Sequence, residues 1–457
     1  MNSTLPEVRP WVELQRLIDE ADAEQLKAFL DDLPPREVAR SVSRLDDDHR
    51  AQLLAAVEPD HAATVMEQIP GSQAVDAIER LGPQVAAAIL HELPGADRAD
   101  LLGDVEDSVA DAILGEMGSE EASATRTLRE YPDDVAGGLM TLEYLAFREN
   151  ETVGDVLSDL RAHADTYRDF VVQYGFVTTD ERRLVGVLRL RDLVFAKTET
   201  SLRAIMTADP LALTDFATLD EVRAFFDIHG LYGAPVVDGS GRLVGLIRRA
   251  AVGEALAERN EADFLKVQGI VGGEELRTMP LLQRARRRLA WLSVNIMLNV
   301  IAASVIALYQ DTLAAVIALA VFLPIISDMS GCSGNQAVAV SMRELSLGLL
   351  RPSEMRRVWL KEISIGWING LALGTLIAAL AWAWQGNAML GLVVGGAMML
   401  NTVVAVSLGG TIPLLLRRLG VDPALASGPL LTTVTDMCGF FLLLSMAAAT
   451  LPWLVVR

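Results

Sequence analysis

Asp436 is the only charged residue in the apolar run Pro423–Val456. Hydrocarbon cannot solvate an ionised carboxylate, so a carboxyl at that depth faces a bundle interior or a wet cavity and marks a candidate functional site. In a helix that starts at Pro423, a rise of about 1.5 Å per residue sets Asp436 about 20 Å along it, near the bilayer centre. Thr432 and Thr433 lie four and three residues earlier, on about the same face. Gly428-Pro429 stands a little over two turns before Asp436, and a proline frees a backbone carbonyl. Carboxylate, hydroxyl, carbonyl and water oxygens are what a hard divalent cation takes. The competing reading is a neutral, hydrogen-bonded Asp among Thr and Gly residues that serve helix packing.

A second stretch runs from Phe322-Leu323-Pro324 through Ser330-Gly331-Cys332-Ser333-Gly334-Asn335-Gln336. A proline and two glycines followed by small and amide side chains predict an interrupted helix, tolerated at membrane depth only where protein or a cavity covers it. Asp328 stands either at the mouth of such a pathway or at the interface as a simple charge.

The elements that must position these residues follow from charge and periodicity. Before Ala290 stand 53 acidic and 31 basic residues, and from there on 7 and 8. An acidic leading part excludes a nucleic-acid partner, which needs clustered Lys and Arg, and suits cations. Beyond Ala290 the spans are Leu289–Tyr309, Thr312–Met342, the 54 uncharged residues Ile363–Leu416, and Pro423–Val456. The long run must fold back once, most simply at Gln385-Gly386-Asn387, giving five helices in contact with membrane lipid. Lys and Arg collect at Arg284–Arg288, Arg351–Lys361 and Arg417-Arg418. All three lie on one side, which places the acidic part in the cytoplasm and Arg457 outside a cytoplasmic membrane. Met1–Pro10 lacks a secretory signal, so insertion rests on the later spans. Both thiols, Cys332 and Cys438, fall in apolar segments, so there is no disulfide framework.

In the leading part, Leu14–Leu128 shows helical spacing punctuated by Leu33-Pro34, Ile69-Pro70 and Leu93-Pro94. Pro70 and Pro94 are 24 residues apart, a period that predicts short helices stacked as a superhelix, with a plain bundle as the alternative. After Tyr131-Pro132-Asp133-Asp134 an α+β module occurs twice, each copy opening on Met-Thr (Met140-Thr141, Met206-Thr207) and ending in a strand-turn-strand-helix around Gly186 or Gly245.

With these residues the chain resembles the MgtE magnesium transporters and channels over nearly its whole length. The matching segments are YPDDVAGGLMT (Tyr131–Thr141) before a tandem CBS pair, SGCSGNQAVAVSMREL (Ser330–Leu345), RRVWLKE (Arg356–Glu362) and LLRRLGVDPALASGPLLTTVTDMCGF (Leu415–Phe440). The resemblance implies a multidomain membrane protein: a superhelical α-helical N domain (1–130), α+β tandem CBS domains (131–200 and 201–257), a connecting plug helix (258–288) and an all-α five-helix transmembrane domain (289–457). It implies a homodimer with Mg2+ conducted between subunits, Asp436 of the T-D-x-x-G segment binding the hydrated ion, and Gly428 and Thr432 beside it. It also implies sensing of cytoplasmic Mg2+ by carboxylates, for which Asp97, Asp100, Asp215, Glu254, Glu258, Glu261 and Asp263 are the candidates. Each is more simply a solvated surface group.

Three departures bear on function. Cys332 stands where the family carries an amide, and a thiol on the pathway with Asn335 and Asp328 would favour Co2+, Ni2+ or Zn2+ over Mg2+, whereas a small thiol packed against a helix would not. Arg248-Arg249-Ala250-Ala251 and Ile228-His229-Gly230 replace acidic positions, which predicts weaker or retuned Mg2+ inhibition. The ribose pattern Thr/Ser-x-x-Asp is reduced to Arg189-Leu190-Arg191-Asp192 in one CBS copy and is missing in the other, so a strong nucleotide site is not expected. The sequence holds no phosphate-binding G-x-x-x-x-G-K-[ST] loop, no nucleophile-base pair and no His/Cys cluster, which speaks against an enzyme. Entry of Mg2+ down its electrochemical gradient is the expected function. The alternatives are a transition-metal transporter using Cys332 and a non-transporting CBS-containing sensor.

Overall fold

A computed structural model describes residues 9–20, 22–167, 170, 173–267, 269–270, 279 and 281–455. The chain divides into two compact units, Met1–Glu258 and Arg259–Arg457. The first unit opens with ten helices: α1 (Pro10–Asp19), α2 (Ala23–Asp32), α3 (Pro35–Val42), α4 (Asp47–Ala56), α5 (Pro59–Gln68), α6 (Gly71–Arg80), α7 (Pro83–His91), α8 (Gly95–Asp104), α9 (Asp107–Glu116) and α10 (Ser119–Arg129). From α3 to α10 each helix packs on the one two places on, as α4 does on α6 and α8 on α10. The 24-residue period is therefore a pair of helices, and α3 to α10 stack as a superhelix. Proline at the first position of α3, α5 and α7 costs no hydrogen bond there and starts each helix sharply. One continuous core runs from Leu14 to Ala122.

The tandem module follows as α11 (Ala136–Leu139), β1 (Leu145–Arg148), α12 (Val153–Ala162), β2 (Tyr174–Thr178), β3 (Leu184–Arg189), α13 (Leu190–Phe195), α14 (Leu202–Ile205), β4 (Thr207–Ala208), β5 (Leu213–Thr214), α15 (Leu219–His229), β6 (Gly233–Val237) and β7 (Leu243–Arg248). The sheets are ordered β1-β2-β3-β4 and β5-β6-β7. The opening segments of the two copies are exchanged. Thr141 bridges Leu246 of the second copy, while β4 pairs with β3 of the first. Met140 accordingly fills the space over Gly245, and Met206 the space over Gly186, where any Cβ would collide.

The helix α16 (Arg249–Val267) carries the chain across the division between the units. It ends in a Schellman motif: Gly269 takes φ +79°, its N–H bonds to the Lys266 carbonyl at 2.9 Å, and the Ile270 N–H bonds to the Leu265 carbonyl at 3.0 Å. The segment 258–288, expected as one connecting plug helix, begins inside α16, and that helix is closed by a glycine. Helix resumes at α17 (Leu281–Leu308), and residues 268, 271–278 and 280 lie outside the described residues.

After α17 the second unit continues with α18 (Gln310–Ala315), α19 (Leu319–Ser346), a 3-10 turn (Pro352–Glu354), α20 (Met355–Gln385), α21 (Ala388–Arg418), α22 (Pro423–Ala449) and α23 (Leu451–Val455). Among the described residues, four helical stretches are long and apolar enough to cross a membrane: Arg284–Leu308, Pro352–Gln385, Ala388–Arg418 and Gly428–Ala449. The 28-residue α19 has the length to be the fifth, but its polar row keeps it out of that set. The fold-back falls at Gly386, which adopts φ +67°, with Asn387 capping α21 by accepting from the Met389 and Leu390 N–H groups. The C-terminal Arg457 lies outside the described residues.

The expected interruption over Phe322–Gln336 is not present. Here α19 is continuous, with Pro324 inside it, and the irregular backbone lies instead at Val316–Ala318. Of its two glycines, Gly334 serves packing, while a Cβ on Gly331 would meet nothing within 4 Å. A Cβ on Gly334 would stand 3.0 Å from the Ala405 carbonyl oxygen and 2.9 Å from Leu431, and Gly409 of α21 abuts Gly334 in return. Ser341 adds a hydrogen bond to the Gly410 carbonyl at 2.8 Å. Between α20 and α21 the same device recurs, since Cβ atoms on Gly370 and Gly374 would meet the Met399 and Gly395 carbonyl oxygens at 2.6 Å. Small residues that let helix backbones touch replace the hydrophobic effect that lipid cannot supply. Gly370→Val should therefore force α20 and α21 apart and destabilise the membrane unit by about 1–3 kcal/mol, seen as a lower melting temperature in detergent. An unchanged melting temperature would refute this contact.

Candidate functional site

In α19, Pro324, Ser327, Asp328, Gly331, Cys332 and Asn335 recur at three- and four-residue spacing, and in α22 so do Thr432, Asp436 and Phe440. These two helix faces, with Ile306 of α17 and Leu323, line one cavity of about 600 Å³. The site thus gathers Asp436, Thr432, Cys332, Asn335 and Asp328. Asp328 is an exposed side chain on the cavity wall, and Cys332 is an exposed thiol, not one packed behind a helix.

Ser327, absent from the sequence reading, donates its hydroxyl to Asp436 Oδ1. Its signal was available: Ser327 sits one turn after Pro324, beside Asp328. Thr433, expected to share the face of Asp436, is buried and donates to the Pro429 carbonyl at 2.8 Å. Thr433 and Gly428 line a second cavity, of about 1090 Å³, which also reaches Thr432 and Asn335. Those two residues are common to both cavities. Asn401 of α21 is fully buried with neither amide atom hydrogen-bonded, and Gly439 leaves room for it, since a Cβ there would stand 2.7 Å from Nδ2.

In the first unit the structure brings together part of the expected sensing set. Arg98 anchors α8 by donating to the Leu90 and Leu93 carbonyls and pairing with Glu121 of α10 at 2.7 Å. Asp97 and Asp100 flank it. Desolvation, then repulsion from Asp133 and Asp97, pushes the Asp100 carboxyl up to about 7, although its side chain still meets solvent. Asp97 is also raised, by desolvation against the lowering effect of Arg248, with Glu254 and Glu143 adding repulsion. Glu258 acts on Asp100. Asp104 and Glu67, missed in the sequence, are raised by desolvation and by Asp133 and Asp97 respectively. Asp215 stands apart from this group: it accepts from the Tyr131 hydroxyl at 3.3 Å and from its own turn at the Phe216 N–H. Glu261 is an exposed side chain of α16. Asp263, in the second unit, has its carboxyl raised by desolvation, although Lys266 at 3.9 Å opposes this.

The CBS pair encloses a cavity of about 750 Å³ lined by Tyr174, Arg189, Arg191, Asp209, His229 and Tyr232 among others. Asp192, the one residue kept from the ribose pattern, lies 3.5 Å from Arg191 and is not part of that lining.

Residues 323–446 match the family model for a divalent cation transporter, MgtE, 33–134 match the MgtE intracellular N domain, and 135–199 and 202–258 match CBS domains. The chain is 36% identical over 325 residues to the magnesium transporter MgtE of Thermus thermophilus, covering 70% of this chain and 71% of that one. It is 30% identical over 334 residues to the magnesium transporter MgtE of Bacillus subtilis, covering 73% of each. A crystal structure of the cytosolic domain of the Mg2+ channel MgtE in complex with ATP matches 53% of this chain and 99% of its own, at 31% identity and a TM-score of 0.48.

A carboxyl raised in the folded state gives stability that is present at low pH and is lost as pH rises through the folded value, here between about 3.8 and about 7 for Asp100. In the full-length protein, Asp100→Asn should therefore slow hydrogen exchange of the α8 amides at pH 8, and the difference from wild type should close as pH falls through that window. A difference independent of pH would overturn the assignment.

Proposed function

The chain belongs to the MgtE family of divalent cation transporters, and from that premise we propose that it passes hydrated Mg2+ along α19 and α22, with Asp436 as the ion-binding group of a homodimeric pore. The observation that carries this reading is the shared cavity: two carboxylates, Asp436 and Asp328, with the Thr432 hydroxyl and Asn335 amide at membrane depth. Mg2+ sheds its waters reluctantly, so oxygen acceptors facing a roomy cavity hold it through its hydration shell. No coupled energy source is required. A membrane potential gives each elementary charge about 2.3 kcal/mol per 100 mV, and a divalent ion about twice that. The basic residues at Arg284–Arg288, Arg351–Lys361 and Arg417-Arg418 orient the acidic first unit toward the cytoplasm and Arg457 outside. The family relatives are transporters, and this chain is read as one too, not as an enzyme.

The carboxylates around Asp97 and Asp100, with Glu254 and Glu258, are the proposed sensor. Cytoplasmic Mg2+ neutralises charges that otherwise repel one another. Arg248 already supplies positive charge to Asp97, which supports weaker inhibition by Mg2+. The CBS cavity keeps none of the expected ribose contacts, and the pair is read as a scaffold. A second reading is kept for one reason, the exposed Cys332 thiol on the wall that holds Asp436, which suits softer ions than Mg2+.

Divalent flux into proteoliposomes tests both. Asp436→Ala should cut Mg2+ flux at least about tenfold, the effect of losing about 1.4 kcal/mol of ion stabilisation. Cys332→Asn should leave Mg2+ flux in place and reduce any Co2+ or Zn2+ flux. Unchanged Mg2+ flux in Asp436→Ala would reject this pore, and absence of flux for every ion would favour the sensor.

A further inference from the structure

The helix α17 presents much of its surface as large exposed apolar side chains, among them Val294, Ile296, Met297, Val300 and Ile301, as a lipid-facing helix should. Beyond Arg288, four polar residues break that composition: Ser293 and Ser304 donate to carbonyls of their own helix, which leaves the two amides. Asn295 and Asn299 are four apart and therefore occupy one face, and that face lines the cavity of about 1090 Å³. Counted from Arg288 at the end of the basic run, they lie about 10 and 16 Å into the membrane at about 1.5 Å per residue. An amide left without partners in hydrocarbon costs several kcal/mol, so polar groups at such depth face water or substrate.

The rest of the cavity wall is largely apolar, with Phe264, Trp291 and Met342 among its residues. It carries Asn335 of α19, Thr432 of α22 and Asp263 of α16, with Arg343 also on the wall. Asn335 and Thr432 also line the Asp436 cavity, so the two spaces meet at those side chains. An octahedral Mg2+ with six waters at about 30 Å³ each needs only about 180 Å³. Amide oxygens accept hydrogen bonds from metal-bound waters but carry no charge, so they hold a hydrated cation loosely, as a site on the way out of a carboxylate site must.

We propose that Asn295, Asn299 and Asn335 form an inner site for a hydrated divalent cation, on the cytoplasmic side of Asp436, making α17 a wall of the ion path. The site rests on the Mg2+ transport reading above, and it assigns outer-sphere recognition to amides rather than to carboxylate or thiol.

Cysteine accessibility tests the site independently of transport. Asn295→Cys, Asn299→Cys, Ile296→Cys and Val300→Cys are made singly in the full chain, with wild type, which retains Cys332 and Cys438, as the baseline. A charged, membrane-impermeant methanethiosulfonate is applied from the cytoplasmic face of vesicles. Labelling above baseline is expected at the two Asn positions and not at Ile296 or Val300, with Mg2+ slowing it severalfold relative to Na+ of equal ionic strength. Labelling of all four positions, of none, or without Mg2+ protection would overturn the proposal. In flux assays Asn299→Leu should lower Mg2+ transport about tenfold while Asn299→Gln stays within about twofold of wild type, and equal loss in both would mark a packing role and overturn it too. Absent Mg2+ flux in the wild type would count against the transport reading, whereas failed labelling beside normal wild-type flux would count against the amide site alone.

Discussion

The membrane unit is organised around the cost of keeping the Asp436 carboxyl away from hydrocarbon. One donor, Ser327, reaches it directly, and the remaining lone pairs face the cavity. That arrangement is possible only if α19 and α22 present their polar rows to each other, because a carboxylate turned by a third of a helix turn would meet lipid or packed side chains. Asp328 on the facing wall sharpens the constraint. Two carboxylates on one cavity repel, and a divalent cation between them relieves both desolvation and repulsion at once.

Holding α19 in that register is the task of the helices behind it. The α20 and α21 pair is built on glycines whose missing Cβ atoms let backbone carbonyls approach, and α21 in turn grips α19 through Gly334, Gly409 and the Ser341 hydrogen bond. The close contacts with α21 thus fall on residues of α19 other than those of the polar row, which is left free to line the cavity. Asn401 is the exception within this packing. Its amide is buried without a hydrogen bond where Gly439 passes, one turn after Asp436, and such a group in hydrocarbon is retained only against a cost.

Much of this was legible in the residues. A lone Asp in an apolar run, the 24-residue helical period, the paired Met-Thr openings and the turn at Gln385-Gly386-Asn387 all describe local physics that no tertiary context reverses. The misreadings share a different cause. Gly331 and Gly334 with Pro324 read as helix breakers because isolated glycine weakens a helix in water, but within a bundle Gly334 is favoured by close backbone contact, and α19 stays continuous. Ser327 and Asn299 were overlooked because a single hydroxyl or amide in an apolar run carries meaning only once the facing helix is known. The exchange of Met140 and Met206 between the CBS copies was likewise invisible, since the motif fixes what fills the gap over a glycine and not which copy supplies it.

The acidic first unit follows the same electrostatic logic in water. Around α8, carboxylates from the superhelix and from α16 are gathered, and desolvation first, then repulsion among them, pushes the Asp100 carboxyl up to about 7. Crowded anions raise the free energy of the arrangement that brings them together, so a divalent cation that neutralises them stabilises that arrangement in proportion to its concentration. The arginine at Arg248 occupies part of that role permanently. A fixed cation lowers the repulsion left for Mg2+ to relieve, so the gain on binding is smaller and the concentration needed to favour the assembled arrangement is higher. Under the proposed sensing role, an arginine beside the acidic cluster shifts the set point without removing the sensor.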